Sequence, residues 1–102
     1  MITNKNEYQN FINNNEEIKG LFIESKTCNV CHAVYPKVLN LFNEYNINLE
    51  SLDIYYFNEI SSILNVFSVP VLIIFYNNKE VFRMDRFFVI EDIKKFLDKI
   101  KA

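Results

Sequence analysis

Tryptophan is missing from the chain, and its 102 residues include only one glycine, two prolines, two cysteines and one histidine. Each shortage excludes something. Two cysteines are too few for the disulfide framework of a small secreted domain, and Cys28 and Cys31 are too close in sequence to restrain the chain globally, so their role is local chemistry. So little glycine and proline rules out collagen-like and linker-like chains, and it leaves few residues that adopt positive φ cheaply. Neither sign of charge predominates. Eleven basic against thirteen acidic residues gives a net charge of −2, which supplies no cationic field for a phosphate backbone or an anionic lipid surface. Nucleic-acid and membrane partners are therefore disfavoured. No apolar run approaches membrane-spanning length, and the opening MITNKNEYQNFINNN lacks the charged region, apolar run and small-residue cleavage site of a signal peptide. A cytoplasmic protein is expected.

Half of the residues are hydrophobic and 16% aromatic against 24% charged, enough apolar surface to offset the entropy of ordering a globular domain. At this length residues 1–102 are expected to form a single domain, acting as a monomer. Tyr8, Phe11 and Ile12 recur at helical spacing between about Asn4 and Asn14, with Asn13-Asn14-Asn15 as the stop. Ile18 to Glu24 is short and rich in β-branched and aromatic residues, and reads as a strand. Cys31, Val34, Val38, Leu41, Phe42 and Tyr45 form an apolar stripe interrupted only by Pro36, which predicts a second helix kinked at that proline. Asn48 to Ile54 reads as another strand, and Ile60, Ile63 and Leu64 mark a short helix ending near Asn65. Val71 to Tyr76 is continuously apolar, as expected of a central strand covered on both faces. Asn77-Asn78 fits a tight hairpin turn because Asn tolerates positive φ, and Glu80 to Arg86 returns as an antiparallel edge strand. Ile90, Ile93, Phe96, Leu97 and Ile100 give an amphipathic closing helix. A helix followed by β-α-β-α-β-β-α implies an α/β fold, with a mixed four-stranded sheet flanked by helices on both faces.

Cys28-Asn29-Val30-Cys31 places two thiols three residues apart where a strand meets a helix, and one helical turn brings such side chains together. Unpaired N–H groups and the positive dipole end of the helix favour thiolate, so the Cys28 pKa is expected below the value of about 8.5 for a free thiol. A mixed disulfide formed at Cys28 is then resolved by Cys31, with no metal or organic cofactor needed. The plainer reading, two buried core cysteines, is disfavoured by the C-x-x-C spacing in an α/β context. Cys28 to His32 also matches C-x-x-C-H, the attachment site of c-type haem, but that chemistry needs an export route and a haem pocket that this pattern of elements does not provide. Two Cys and one His leave a structural zinc site one ligand short. His32 reads as a polar residue of the first helical turn that tunes the thiols when protonated. Lys26 reads as a solvated loop lysine, close enough in sequence to add positive potential at Cys28.

Three matches make the chain resemble the thioredoxin family. The first is the cysteine pair between the first core strand and its helix. The second is Pro36, five residues after Cys31, at the position of the proline that kinks the active-site helix. The third is Val69-Pro70, immediately before the apolar strand, where the family places a cis-proline. With the element order they cover nearly the whole chain. The resemblance implies a thioredoxin fold and a thiol–disulfide oxidoreductase in which Cys28 is the nucleophile and Cys31 the resolving thiol. It also implies a cis bond before Pro70 that brings this loop beside Cys28, with the Val69 backbone pairing with an extended substrate segment. Protein disulfides are the implied substrates, and a thioredoxin-reductase-like protein the implied electron donor.

The chain departs from the family pattern in three places. Thr27 stands where thioredoxins usually have tryptophan. Phe22, six residues before Cys28, stands where they carry a buried Asp that assists deprotonation of the second thiol. Glu24, on the same strand face, is the candidate replacement, against the plainer reading of a surface carboxylate. The glycine expected after the last edge strand is also replaced, by Phe87 or Phe88. These departures motivate an alternative: a thioredoxin-like redox sensor or partner-binding module with little catalytic turnover.

Overall fold

The computed structural model describes all 102 residues, Met1 to Ala102. Helix α1 (Lys5–Asn13) starts where the Asn4 side chain accepts the Glu7 N–H at 2.9 Å, while Glu7 reaches back to the Thr3 N–H at 2.9 Å. The first bond satisfies one of the N–H groups that a helix start leaves unpaired, and the second ties the residue before the cap to the first turn. Strand β1 (Ile18–Glu24) follows, then α2 (Asn29–Glu44), which continues uninterrupted through Pro36. Strand β2 (Asn48–Asp53) stops one residue short of the expected Ile54, because the Asp53 carboxylate accepts the Tyr55 N–H at 2.8 Å and turns the chain. Helix α3 (Ile60–Leu64) leads to β3 (Val71–Tyr76) and β4 (Lys79–Asp85), and α4 (Ile90–Ile100) closes the fold.

Strand β4 is shifted by one residue from the expected Glu80–Arg86. The Asn77-Asn78 turn leaves Lys79 paired with Tyr76, and Arg86 leaves the strand in left-handed backbone at φ 60°. Four asparagines, Asn46, Asn65, Asn77 and Asn78, occupy left-handed backbone, so Asn performs the turn role that scarce glycine does not. The one glycine, Gly20, serves packing instead: a Cβ there would run into the Phe42 ring and come within 2.9 Å of Leu49.

The sheet order is β2-β1-β3-β4, with β1 parallel to β2 and antiparallel to β3, and β4 antiparallel to β3. The expected mixed four-stranded sheet is therefore present, with α1 and α3 on one face and α2 and α4 on the other. Because side chains alternate along a strand, β3 sends Ile73 and Phe75 into the first cluster and Leu72 and Ile74 into the second. Fully burying each such side chain contributes about 1.5–3 kcal/mol. A short bridge precedes α1: Ile2 lies parallel beside Leu52 and donates its N–H to the Ser51 carbonyl at 2.7 Å. No helix is long and apolar enough to cross a membrane.

Candidate active site

The cysteines sit at the carboxyl end of β1, where the chain turns into α2. Cys28 is the N-cap of α2 in extended backbone, and its Sγ accepts the Cys31 N–H at 3.1 Å. The two residues form a disulfide, with Cα atoms 5.3 Å apart. Cys28 is partly exposed, whereas Cys31 is fully buried in the cluster that packs α2 and α4 on the sheet. Between them Asn29 and Val30 point outward, Val30 being 54% exposed. No acidic residue occupies the first turn of α2, so nothing there opposes negative charge on the N-cap sulfur.

The Val69-Pro70 bond is cis. Pro70 is buried, and Val69 packs against the same cluster as Cys28. Val69 makes no backbone hydrogen bond within the chain, while the Pro70 carbonyl accepts the Arg86 N–H at 3.4 Å. A cleft of about 470 Å³ runs between this loop and the turn before Cys28, lined by Ser25, Ile54, Val66, Phe67 and Val69 among others. Phe67 is 83% exposed at one side of the loop, and Phe87 is 86% exposed beyond the end of β4. A somewhat larger concavity, about 500 Å³, lies at the other end of the sheet beside Glu16, Ile18 and Ile47, away from the cysteines.

Phe22 is fully buried, its ring packed 5.1 Å from that of Tyr35 and 6.0 Å from that of Phe88. The space beneath α2 that a carboxylate would fill is therefore aromatic. Glu24 stands at the end of β1, register-paired with the buried Asp53 on β2. Loss of hydration, reinforced by the Asp53 charge, raises the Glu24 carboxyl pKa above the usual glutamate range, while His32 opposes the shift. His32 itself is exposed on the first turn of α2. The Lys26 ammonium stands 3.9 Å from the Tyr55 ring centroid and 5.4 Å from that of Tyr56, a cation–π contact that sequence reasoning did not anticipate. After β4 the left-handed backbone falls on Arg86, while Phe87 is exposed and Phe88 packs against the cluster that holds Cys31.

A family model described as thioredoxin matches residues 1–99. The chain belongs to the thioredoxin family. Among curated proteins it is 30% identical over 93 residues to the thioredoxin-like protein YdfQ of Bacillus subtilis (strain 168), covering 90% of this chain and 82% of the relative. Thioredoxin 1 of Thermosipho africanus TCF52B is 26% identical and superposes with a TM-score of 0.75, covering 80% of this chain and 92% of that one. Thioredoxin O2 of Arabidopsis thaliana in its oxidised state, 17% identical, superposes with a TM-score of 0.86 over 99% of this chain and 92% of its own; at that identity the likeness speaks for the thioredoxin fold alone. Within this family, a Cys28–Cys31 pair at disulfide distance is consistent with a thiol–disulfide oxidoreductase.

Proposed function

We propose that this thioredoxin-family protein, acting as a single-domain monomer over residues 1–102, reduces disulfides of protein substrates, with Cys28 as nucleophile and Cys31 as resolving thiol. The asymmetry of the pair carries the reading: one sulfur is partly exposed at a helix N-terminus and accepts a backbone N–H at 3.1 Å, and the other is fully buried. An N–H aimed at Cys28 stabilises its thiolate, the form that attacks.

In the first step the Cys28 thiolate attacks a substrate disulfide; a bond forms between Cys28 and one substrate sulfur, the substrate S–S bond breaks, and the other sulfur leaves as thiolate and takes up a proton. Cys31 then loses its proton and attacks Cys28, releasing the second substrate thiol and leaving the Cys28–Cys31 disulfide. Two electrons have passed to the substrate. A thioredoxin-reductase-like donor returns them, and a reducing compartment such as the cytoplasm sets this direction. The free backbone groups of Val69, beside cis-Pro70, support pairing with an extended substrate segment, and exposed Val30, Phe67 and Phe87 give the surroundings an apolar character. Glu24 and His32 tune the local potential, and Lys26 braces the loop through Tyr55 and Tyr56.

Insulin reduction with dithiothreitol as donor tests this. The wild type is expected to accelerate the reaction, and Cys28→Ser to return it to the dithiothreitol background. Cys31→Ser is expected to accumulate a mixed disulfide visible by mass spectrometry. Equal rates for wild type and Cys28→Ser overturn the proposal. The second reading, a redox sensor or binding module, is favoured by buried aromatic Phe22 in the place of a carboxylate. A wild type that oxidises once, holds a partner and is not recycled by any reductase would support it.

A further inference from the structure

The loop carrying Val69 and Pro70 is tied at one end to the residue just after β4 and, through the helix before it, at the other end to β4 itself. At its far end the Pro70 carbonyl accepts the Arg86 N–H. At its near end lies α3, a five-residue helix with no side-chain N-cap, too short to be stable by itself. The Ser61 carbonyl takes the Asn65 and Val66 N–H groups, but the Leu64 and Asn65 carbonyls, at the negative end of the helix, receive none of the turn bonds that close it. Arg83 donates to them instead. It lies opposite Ile73 in the β3–β4 register, and its guanidinium donates to the Leu64 carbonyl at 2.8 Å and the Asn65 carbonyl at 3.3 Å. The same guanidinium is gripped by both Glu80 oxygens, at 2.9 Å and 2.7 Å. A surface ion pair alone contributes little, but here the fork is fixed by the carboxylate while its other edge holds the α3 carbonyls. The planar guanidinium, with five N–H donors, serves all four acceptor atoms at once, one more than the three donors of an ammonium could reach. Asn65, in left-handed backbone, then delivers the chain to buried Val66, exposed Phe67 and half-buried Val69.

We infer that Arg83, held by Glu80, is a positioning residue for the substrate-facing loop: it anchors the end of α3 to β4 and so sets where Phe67 and Val69 stand relative to Cys28. This rests on the proposed reduction of protein disulfides. A small disulfide needs only the sulfur of Cys28, whereas a protein segment also needs the loop, so the two substrates separate positioning from chemistry.

The experiment compares wild type, Arg83→Ala and Arg83→Lys, as full chains, on insulin and on hydroxyethyl disulfide. Arg83→Ala is expected to raise KM for insulin about tenfold while rates on the small disulfide stay within about twofold. Arg83→Lys should fall between, since an ammonium reaches one acceptor set but has no fork. Unchanged KM, or equal loss on both substrates, overturns the inference. If the wild type fails to reduce insulin, the functional reading falls, and hydrogen exchange still decides the role of Arg83. The Val66 amide, bonded to the Ser61 carbonyl at 3.0 Å, should then exchange about tenfold faster in Arg83→Ala, with amides of α2 and α4 unaffected. Unchanged exchange at Val66 overturns it.

Discussion

Glu24 stands beside Asp53 across the β1–β2 pair, half-buried, so its charged form is disfavoured both by lost hydration and by a neighbouring carboxylate. A carboxyl whose folded pKa is raised contributes stability that is fully present below its unfolded pKa and is lost as pH rises through the folded value. Glu24→Gln removes that loss while keeping the side chain's size. The variant is expected to match the wild type at about pH 3.5, below the ordinary glutamate pKa of about 4.3, and to be the more stable of the two at about pH 7, the difference opening as pH rises above the ordinary value towards the raised folded one. Urea midpoints at the two pH values check this, and a pH-independent difference would sink it. Glu24 was readable as a candidate because it shares a strand face with Phe22. What raises its pKa was not readable, since Asp53 is brought beside it only when β2 pairs in register. Lys26 teaches the same lesson: its tyrosine partners lie almost thirty positions away.

At the scale of elements, every helix and strand follows a periodicity or a turn signal, and the two shifted strand ends follow side-chain chemistry at Asp53 and backbone conformation at Arg86. Lys19 is the exception. A lysine in a short strand reads as solvent-facing, yet it is fully buried beneath the end of α1. Its ammonium donates to the Phe11 carbonyl at 2.6 Å, the Ile12 carbonyl at 3.0 Å and the Asn14 side chain at 3.1 Å, using all three of its donors. Burial lowers its pKa, and Glu16 opposes the shift. Lys19→Met keeps the apolar stem but strands those carbonyls. It should cost about 2–3 kcal/mol in chemical denaturation and speed hydrogen exchange in α1 before any other helix. A neutral substitution with unchanged exchange would show that water replaces the ammonium without penalty.

At the scale of the whole molecule, the two core clusters lie on opposite faces of one sheet and share β1 and β3. Leu72 and Ile73 are adjacent, both fully buried, and enter different clusters. Leu72→Ala and Ile73→Ala should each cost about 2–5 kcal/mol. Because the strand is common to both faces, far-UV circular dichroism and tyrosine fluorescence should shift to the same midpoint in each variant. Midpoints that separate by probe would show that the faces unfold independently and would overturn the single-domain reading.

The sequence by itself determined the order of elements, the confinement of both cysteines to one helical turn, and the position of Pro36 one turn further along the same helix, because each depends on residues near one another in the chain. Tertiary structure alone decided which sulfur is buried, which carboxylate loses its water, where Arg83 and Lys19 find acceptors, and that Arg86 carries the left-handed backbone after β4. Burial, charge and hydrogen-bond partnership are set by distance in space, and β1, β2 and β4 bring together residues from distant parts of the chain.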